Sequence, residues 1–347
     1  MASKVPIEEE FDAIPVYHPR YFLIPKVSMP FHGFLMFVGA ASCAGRLHSK
    51  ERFDCIDAHY VYPDGFAAVL LGRHLGIPVV VSARGTDISV FPTFPLIRPM
   101  IRWTFQRTAG IVAVSSALKQ AIQALGVPSC QIATIGNGID LDRFHPVDRF
   151  SARQRLGIAP DAKVFLSVGN LVPVKGHEYL VRAIAQVATR EPRAKLYIVG
   201  DGPLRASLEA LTRTQRAECR IFLVGRKPNE EMKYWYGAAD ASCLASSREG
   251  WANVLLESLA CGTPVVATRV WGTPEVVASD ELGILTEQSV DALARAMVRA
   301  LEKRWNAEAM IAYASTRTWD VVAQEFETFL SQRVPVKHDL TREIVRA

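Results

Sequence analysis

The sequence predicts an α/β protein of two Rossmann-like domains, each a largely parallel sheet covered by helices. Its 347 residues suit two domains, since a typical domain has about 150 residues. From Phe53 onward, short apolar segments alternate with amphipathic ones, which is typical of parallel sheets. The polar segment 137–146 contains glycine and proline and marks the boundary between the halves. We expect domains at 1–146 and 147–312, and a C-terminal helix and tail at 313–347 as a candidate to pack back on the first domain.

The first half predicts an incomplete domain. A doubly wound domain opens with a strand that runs into a Gly-rich turn. Residues 1–30 offer only fragments at 14–16 and 21–24 among five prolines, so we expect the first strand and helix to be missing. The predicted strands are 55–58, 78–82, 110–114 and 131–135, and the predicted helices are 65–75, 101–107 and 116–124.

The second half predicts a complete Rossmann-like domain. Asn229 is expected to cap one of its helices, and Gly262 to close another. The predicted strands are 164–168, 194–199, 221–224, 241–245 and 264–268, and the predicted helices are 176–189, 204–212, 229–238 and 253–260.

Composition excludes several classes of protein. Apolar residues make up 49% and charged residues 22%, which is typical of folded globular chains. The net charge of +5 is modest and its cations are scattered, so no nucleic-acid partner is predicted, although anionic ligands or an anionic membrane surface would suit it. Six cysteines without metal-like spacing favour a reduced cytosolic compartment. No signal peptide is visible, and the apolar stretch 31–44 is shorter than the ~20 residues of a membrane span, so it predicts core or an interfacial surface.

The strongest motif is the segment from Glu249 to Glu257, which follows a predicted strand and leads into a helix. Free N–H groups of Asn253, Val254 and Leu255 at the helix start would attract an anion such as a diphosphate. The Glu257 carboxylate could accept hydrogen bonds from vicinal hydroxyls, while Glu249 would face the cleft. The alternative is that both glutamates are ordinary acids on a helix surface.

Two further turns follow predicted strands. In the first, Lys175 lies just before a helix, where a cation neutralises phosphate oxygens. Its order is Lys-Gly rather than the Gly-Lys-Ser/Thr of a P-loop, so a Walker-type NTPase is disfavoured. The second turn holds Gly200 and Gly202, but Ala206 stands where the dinucleotide fingerprint has its third glycine. This turn therefore argues little for NAD.

Together these three clusters closely resemble the donor domain of glycosyltransferase family 4, the large retaining GT-B family, over residues 53 to about 285. The resemblance implies two Rossmann-like domains facing a cleft, with Lys175 on the donor diphosphate, Glu257 on the ribose and Glu249 by the donor sugar. It implies no cofactor. The implied donor-binding residues are Asn170, Lys175, Gly200, Gly202, Arg226, Gly250, Trp251, Asn253, Val254, Leu255 and Glu257.

One position departs from the family pattern. The usual arginine after the glycine of the lysine turn is replaced by Asn170, which removes a charge from the phosphate site. Arg226 is the candidate to compensate. The pair Asp140 and Asp142 formally matches a metal-binding D-x-D motif, but it lies in the interdomain turn. We therefore read it as a hinge feature and predict no essential metal.

The first half resembles the acceptor side of the same family. The loop at residues 82–88 resembles one from which an Asp or a His faces the anomeric carbon, so Asp87 is a catalytic candidate together with Glu249 and Lys175. Arg84 and His59 are acceptor-side candidates at strand ends. The alternative for Asp87 is a helix cap, and for His59 a satisfied core or turn histidine.

The resemblance implies transfer of a sugar from a nucleotide-diphosphate sugar to an acceptor hydroxyl with retention, in bacterial polysaccharide or lipid-linked glycan synthesis. The segment 91–103 mixes aromatic residues with arginines, and it could rest on an anionic membrane or pack in the core. Two alternatives stay open. One is another GT-B enzyme such as a sugar-nucleotide epimerase, and the other is a catalytically impaired remnant or binding module.

Overall fold

The computed structural model describes residues 5–24 and 28–335. Its contacts divide the chain into two compact units. The first unit runs to Ile135 and resumes at Glu325, and the second is Gly136–Gln324. The boundaries predicted from the sequence are 146/147 and 312/313.

The first unit is built around a four-stranded parallel sheet in the order β3-β4-β5-β6. Strand β4 is buried along its whole length, as its run of valines predicts. An antiparallel hairpin of β1 and β2 forms a separate sheet. The elements are β1 (Glu8–Phe11), β2 (Ile14–Tyr17), α1 (His32–Lys50), β3 (Ile56–His59), α2 (Phe66–Leu75), β4 (Val79–Ala83), α3 (Thr86–Ser89), α4 (Arg98–Phe105), β5 (Gly110–Ala113), α5 (Ser116–Ala124) and β6 (Ile132–Thr134).

The second unit is built around a six-stranded parallel sheet in the order β12-β11-β10-β7-β8-β9. Its elements are α6 (Arg149–Leu156), β7 (Lys163–Val168), α7 (His177–Arg190), β8 (Ala194–Val199), α8 (Arg205–Thr214), β9 (Ile221–Gly225), α9 (Met232–Ala238), β10 (Ala241–Leu244), α10 (Asn253–Ala260), β11 (Val265–Thr268), α11 (Thr273–Val276), β12 (Gly283–Thr286), α12 (Val290–Glu302), α13 (Ala307–Ser315) and α14 (Trp319–Ser331), the last of which ends in the first unit.

Both faces of the six-stranded sheet are covered. Along β7, Val164 and Leu166 belong to one hydrophobic cluster, and Phe165 belongs to the other. Because successive side chains of a strand point to opposite faces, a continuous apolar strand needs a core on each side. The predicted α/β class with two Rossmann-like parallel sheets is confirmed.

Helix α1 is the largest difference from the sequence analysis. All of the apolar stretch 31–44 except Phe31 lies in a 19-residue helix that packs on α2, and Gly33 lies against the ring of Phe66. Phe34 and Val38 on the same helix are exposed. Within the described ranges, no helix has both the length and the apolar character that a membrane crossing requires.

One smaller expectation is wrong. Asn229 does not cap a helix; it begins a single 3-10 turn, Asn229–Glu231, and α9 starts only at Met232. Of the two fragments named before residue 30, the one at 14–16 lies in β2 and the one at 21–24 is in neither a helix nor a strand.

The end of α14 packs within the first unit. Phe329 lies against the backbone of Gly110, where an added Cβ would meet its ring at 2.6 Å, and the Arg333 guanidinium donates to the Cys130 carbonyl. A long-range contact of this kind ties the last described helix to β5.

Replacement of Gly200 by alanine should severely destabilise the second unit. Gly200 has φ +144°, and an added Cβ would lie 1.9 Å from the Gly169 carbonyl oxygen. We expect a loss of about 3 kcal/mol or more in the free energy of unfolding, measured by urea denaturation. The matched control is Gly157→Ala, where φ is +66° and the Cβ would meet open space, so only about 1 kcal/mol of backbone strain is expected. Equal losses in the two variants would contradict the steric explanation.

Candidate functional site

Two loops meet at the carboxyl ends of β7 and β8 in the second unit. The N–H of Leu171 donates to the Asp201 carbonyl at 2.9 Å, and the N–H of Gly169 donates to the Val199 carbonyl at 3.0 Å. Gly202, at φ +157°, lies against the backbone of Leu171. The two glycines of the predicted G-x-G turn thus allow its backbone to touch the lysine turn, because a side chain at either position would push the loops apart.

A pocket of about 560 Å³ opens beside these loops. A volume of this size is typical of small-molecule sites, and its position beyond the carboxyl ends of parallel strands is where ligands bind in open α/β sheets. Six predicted residues line it, namely Asn170, Lys175, Gly200, Arg226, Val254 and Glu257. The sequence analysis missed the lining residues Val168, Gly169, Val199, Lys227, Pro228, Asn229 and Met232.

Lys175 and Glu249 form an ion pair. The Lys175 Nζ lies 2.7 Å from Glu249 Oε1, and the side chains are 22% and 10% exposed. The Ser246 hydroxyl donates to the same carboxylate oxygen at 2.6 Å. These two residues lie 74 positions apart in the sequence. The fold brings them together, as their predicted roles require, and their side chains pair with each other.

The start of α10 is less open than expected. The Asn253 N–H donates to the Trp251 carbonyl, and the Leu255 N–H donates to the Ala252 carbonyl, so a local turn uses both. Of the three expected donors, only the Val254 N–H lacks an acceptor among the described residues. Val254 also lines the pocket, so the site retains one of these N–H groups.

Several residues of this motif have structural roles instead. Leu255 is fully buried in the core, so its side chain cannot meet a ligand. The Trp251 ring packs on the backbone of Gly136, and the Asn253 side chain accepts a hydrogen bond from Asn137 at 2.9 Å. These residues, together with Gly202, Glu249 and Gly250, do not line the pocket.

Glu257 is positioned by a buried tyrosine. The Tyr236 hydroxyl donates to Glu257 Oε2 at 2.7 Å, and the Tyr236 side chain is fully buried. Burial raises the pKa of the Glu257 carboxyl, and the Tyr236 hydrogen bond opposes that shift by stabilising the carboxylate. Because Glu257 lines the pocket, its other oxygen is available to accept from a ligand hydroxyl.

His177 is a buried residue that the sequence analysis did not single out. Its Nδ1 lies 3.2 Å from the Ser167 hydroxyl, and its Nε2 lies 3.3 Å from the Asn170 carbonyl oxygen. A carbonyl only accepts, so Nε2 carries the proton and Nδ1 accepts from the serine. Burial lowers the pKa of His177 to about 4, with the nearby Lys175 charge acting in the same direction. The neutral imidazole therefore holds the Asn170 loop in place.

Asp87, in the first unit, is not placed as expected. Its side chain is fully buried, and its carboxylate accepts hydrogen bonds from the backbone N–H groups of Val61, Arg84 and Gly85. Burial raises the pKa of the Asp87 carboxyl, and these donors oppose the shift. Every contact given for the carboxylate joins two loops of the same unit, which favours a structural role, and the catalytic role of Asp87 stays a prediction.

His59 lies between two charged side chains of the first unit. Its Nε2 is 2.8 Å from Asp57 Oδ2, and the Arg84 Nε–H donates to its Nδ1 at 3.1 Å. Its side chain is 52% exposed. The structure therefore groups the predicted acceptor-side residues His59 and Arg84 at the carboxyl ends of β3 and β4.

The D-x-D pair lies in a turn. Asp140 Oδ1 accepts from the N–H groups of Asp142 and Arg143, as an aspartate does when it closes a turn. Across the described part of the chain, no three His, Cys, Asp or Glu side chains are grouped as metal ligands would be.

Comparison with known proteins gives matches along nearly the whole chain. Residues 4–143 match the family described as Glycosyltransferase Family 4, and residues 148–317 match Glycosyl transferases group 1. The chain is 31% identical over 249 residues to N-acetyl-alpha-D-glucosaminyl L-malate synthase of Bacillus anthracis, covering 71% of this chain and 65% of that protein. It is 37% identical over 261 residues to D-inositol 3-phosphate glycosyltransferase 2 of Catenulispora acidiphila, covering 69% of this chain and 60% of that protein.

The fold is shared with solved structures. Sucrose-phosphate synthase from Thermosynechococcus elongatus superposes with a TM-score of 0.81 at 22% identity, covering 95% of this chain and 86% of that one. Anabaena HepE in complex with UDP superposes with a TM-score of 0.75 at 23% identity, covering 84% and 82%. The two family matches follow one another along the chain and the architecture agrees with them, so this protein belongs to glycosyltransferase family 4, with its GT-B fold.

Proposed function

We propose that the second unit binds a nucleotide-diphosphate sugar and that the protein transfers the sugar to an acceptor hydroxyl with retention of anomeric configuration. The observation that carries this proposal is the pocket at the carboxyl ends of β7 and β8, which Lys175, Arg226 and Glu257 all line. Cations suit a diphosphate, and a carboxylate suits the hydroxyls of a ribose. The family assignment supports the same reaction class.

Departure of the diphosphate is the difficult step of such a transfer. Lys175 and Arg226 would stabilise the negative charge that develops on it, helped by the free Val254 N–H at the start of α10. Glu249 is oriented by Lys175 and Ser246 through one oxygen, and its second oxygen would accept from a hydroxyl of the donor sugar. His59 and Arg84 stay the acceptor-side candidates. No enzymic nucleophile or metal is included in the proposal.

The aligned regions span about 60–65% of the length of the two relatives described above, so the activity of the whole protein is part of the proposal. Those relatives are named for L-malate and inositol 3-phosphate, whereas a further relative, 29% identical over 306 residues, is named for teichuronic acid synthesis in Bacillus subtilis. We propose a glycan or lipid-linked acceptor, as in bacterial polysaccharide synthesis.

A lipid-linked acceptor implies work at a membrane surface, and the first unit offers a candidate contact. Phe94 and Leu96 are exposed on the loop before α4, and Arg98 is exposed beside them. Arg102 and Arg107 are engaged within the fold, by the Leu125 carbonyl and the Trp103 ring respectively. We propose a peripheral contact with anionic lipids on the cytoplasmic side, with exposed apolar side chains next to a cation.

Nucleotide binding tests the donor site directly. HepE has been crystallised with UDP and with UDP-glucose, so UDP is the first ligand to titrate by calorimetry, followed by GDP and ADP. We expect saturable binding of one nucleotide and at least a tenfold loss of affinity, equal to about 1.4 kcal/mol, in Lys175→Ala and in Glu257→Gln. The control is Lys195→Ala, a lysine of β8 that lies over Phe222 and outside the pocket. Folded protein that binds none of these nucleotides would sink the proposal.

The stereochemistry of transfer is tested by slow hydrolysis of the donor. With UDP-glucose, whose sugar is α-linked, retention requires α-glucose to be released first, before mutarotation. Proton NMR of the anomeric signals in the first minutes distinguishes the two outcomes. Early release of β-glucose would show inversion and contradict the retaining mechanism.

Acidification should weaken the second unit through His177. Its folded pKa of about 4 lies below the ordinary histidine value of 6.5, so the unfolded chain binds the proton first and stability falls as the pH drops from about 6.5 toward 4. We expect this residue alone to contribute a loss of about 2 kcal/mol between pH 7 and pH 5. Urea denaturation at several pH values measures it. The His177→Asn variant, which does not titrate, should lose correspondingly less stability over the same range, and parallel pH profiles would contradict the assignment.

A further inference from the structure

The second unit has a cavity at the opposite end of its sheet from the nucleotide pocket. It is lined by Lys163 at the start of β7, Asp240 just before β10 and Pro264 just before β11. Val168, at the other end of β7, lines the nucleotide pocket. Five residue steps along a strand span about 17 Å, so the two cavities are separate. We call this cavity the amino-end pocket.

Cations dominate the amino-end pocket. Arg149, Lys163 and Lys303 line it, and Asp240 is its one acidic lining residue. The Asp240 carboxylate is already engaged, since it lies 2.9 Å from the buried Arg153 guanidinium and accepts from the Val164 N–H at 2.7 Å. Its charge is thus offset by a residue outside the lining, which leaves the lining with an excess of positive charge.

The three cations differ in how they are held. Arg149 reaches Asp240 at 3.1 Å but is half exposed, so it has donors to spare. The Lys303 Nζ donates to the Asp280 carbonyl and lies 4.5 Å from the centre of the Trp305 ring. The Lys163 side chain forms no hydrogen bond or close ion pair with the described side chains, but its charge helps to lower the pKa of the nearby Glu191 carboxyl, which is itself paired with Arg193. An ammonium whose nearest carboxylate already has a closer partner, beside two partly engaged cations, favours an anionic ligand.

The rest of the lining suits a small molecule rather than a bare surface ion. Trp305 and Met310 supply apolar walls, and Ala307 places the first turn of α13 at the edge. That helix is capped by Asn306, whose side chain accepts from Ala309, and its dipole adds a partial positive charge. The volume of about 330 Å³ is at the small end of known ligand pockets, which run from about 300 to 1,000 Å³.

We propose that the amino-end pocket is a second binding site that takes a phosphate group, either as free phosphate or as the phosphate of a small monoester. A dianion matches an excess of more than one positive charge better than a single carboxylate does. Lysines bind phosphate as point charges, and Arg149 can add paired donors. Because this site is remote from the nucleotide pocket, its ligand does not take part in transfer and is an effector or a structural ion.

The Trp305 indole is a local reporter for the test. Its Nε1–H donates to the Ala300 carbonyl at 2.8 Å, and both residues line the pocket. In nitrogen-15-labelled protein, its signal is assigned by comparison with Trp305→Phe. Inorganic phosphate, glucose 6-phosphate and glucose are titrated in turn, with sodium chloride at matched ionic strength as the reference.

We expect the Trp305 signal to shift saturably with at least one phosphate ligand and not with glucose or chloride. Lys163→Met should weaken that binding at least fivefold, and Lys303→Met should do the same. The control is Lys195→Met, which removes a lysine from the neighbouring strand β8 outside the lining. Half-saturation at a lower concentration of glucose 6-phosphate than of phosphate identifies a monoester as the ligand class, and the reverse order identifies free phosphate.

Two outcomes would overturn the proposal. One is a Trp305 signal that does not saturate with either phosphate ligand. The other is binding that is as tight in Lys163→Met as in the unchanged protein, since phosphate would then lie elsewhere. The Lys163 side chain forms no hydrogen bond or close ion pair among the described residues, and its charge only adds to the pairing of Glu191 with Arg193. Its replacement should therefore change the urea unfolding midpoint little, and that measurement guards against a trivial loss of fold. This test does not depend on nucleotide binding, which would take place in the pocket at the other end of the sheet.

Discussion

The nucleotide pocket depends on the backbone contact between the loops that follow β7 and β8. Gly200 and Gly202 let the second loop lie against Gly169 and Leu171, and the hydrogen bonds between Leu171 and Asp201 and between Leu204 and Leu171 lock them together. With the loops fixed, the Asn170 carbonyl is held where His177 can donate to it. Helix α7 starts at His177, two residues after Lys175. The same contact therefore also fixes the position from which the Lys175 side chain extends. One steric requirement, the absence of a side chain at Gly200, therefore supports both the fold and the charge of the site.

The sequence predicted the second unit well because its signals are local. Glycines after strands, a lysine before a helix and apolar runs of strand length each report on a few neighbouring residues, and the pocket brings Lys175, Arg226 and Glu257 together as the motifs implied. The sequence could also have indicated His177, which shares a helix face with the buried Leu180 and Val181. The sequence could not show which individual backbone N–H groups are already used in hydrogen bonds within the fold. The Asn253 N–H looks free in any helix start, and only the turn at Trp251 shows that it is taken.

The first unit was harder to predict because its decisive contacts are distant in sequence. Asp87 has the same sequence signature whether it faces a ligand or bridges loops, and the Val61 N–H that engages it lies 26 residues away. Helix α1 contains three glycines, which lower helix propensity. Gly33 and Gly39 are needed because Phe66 and the backbone of Arg20 lie against them, with added Cβ atoms at 2.7 Å from each. Propensity disfavoured this helix, and tertiary packing overrides it.

Charge balance governs the proposed donor site. A partly buried ammonium needs a counterion, and Glu249 supplies it to Lys175. In the proposed complex, a diphosphate would add negative charge near a lysine that already has a partner, so a further cation is needed beside Lys175. Asn170 offers none, although the family resemblance leads one to expect arginine there. Arg226 and Lys227 line the same pocket from the end of β9. Glu257 supplies the one carboxylate of that lining. Arg226 and Lys227, at the neighbouring strand end, are therefore our candidates to supply the charge that Asn170 lacks, as the proposed pyrophosphate ligand would require.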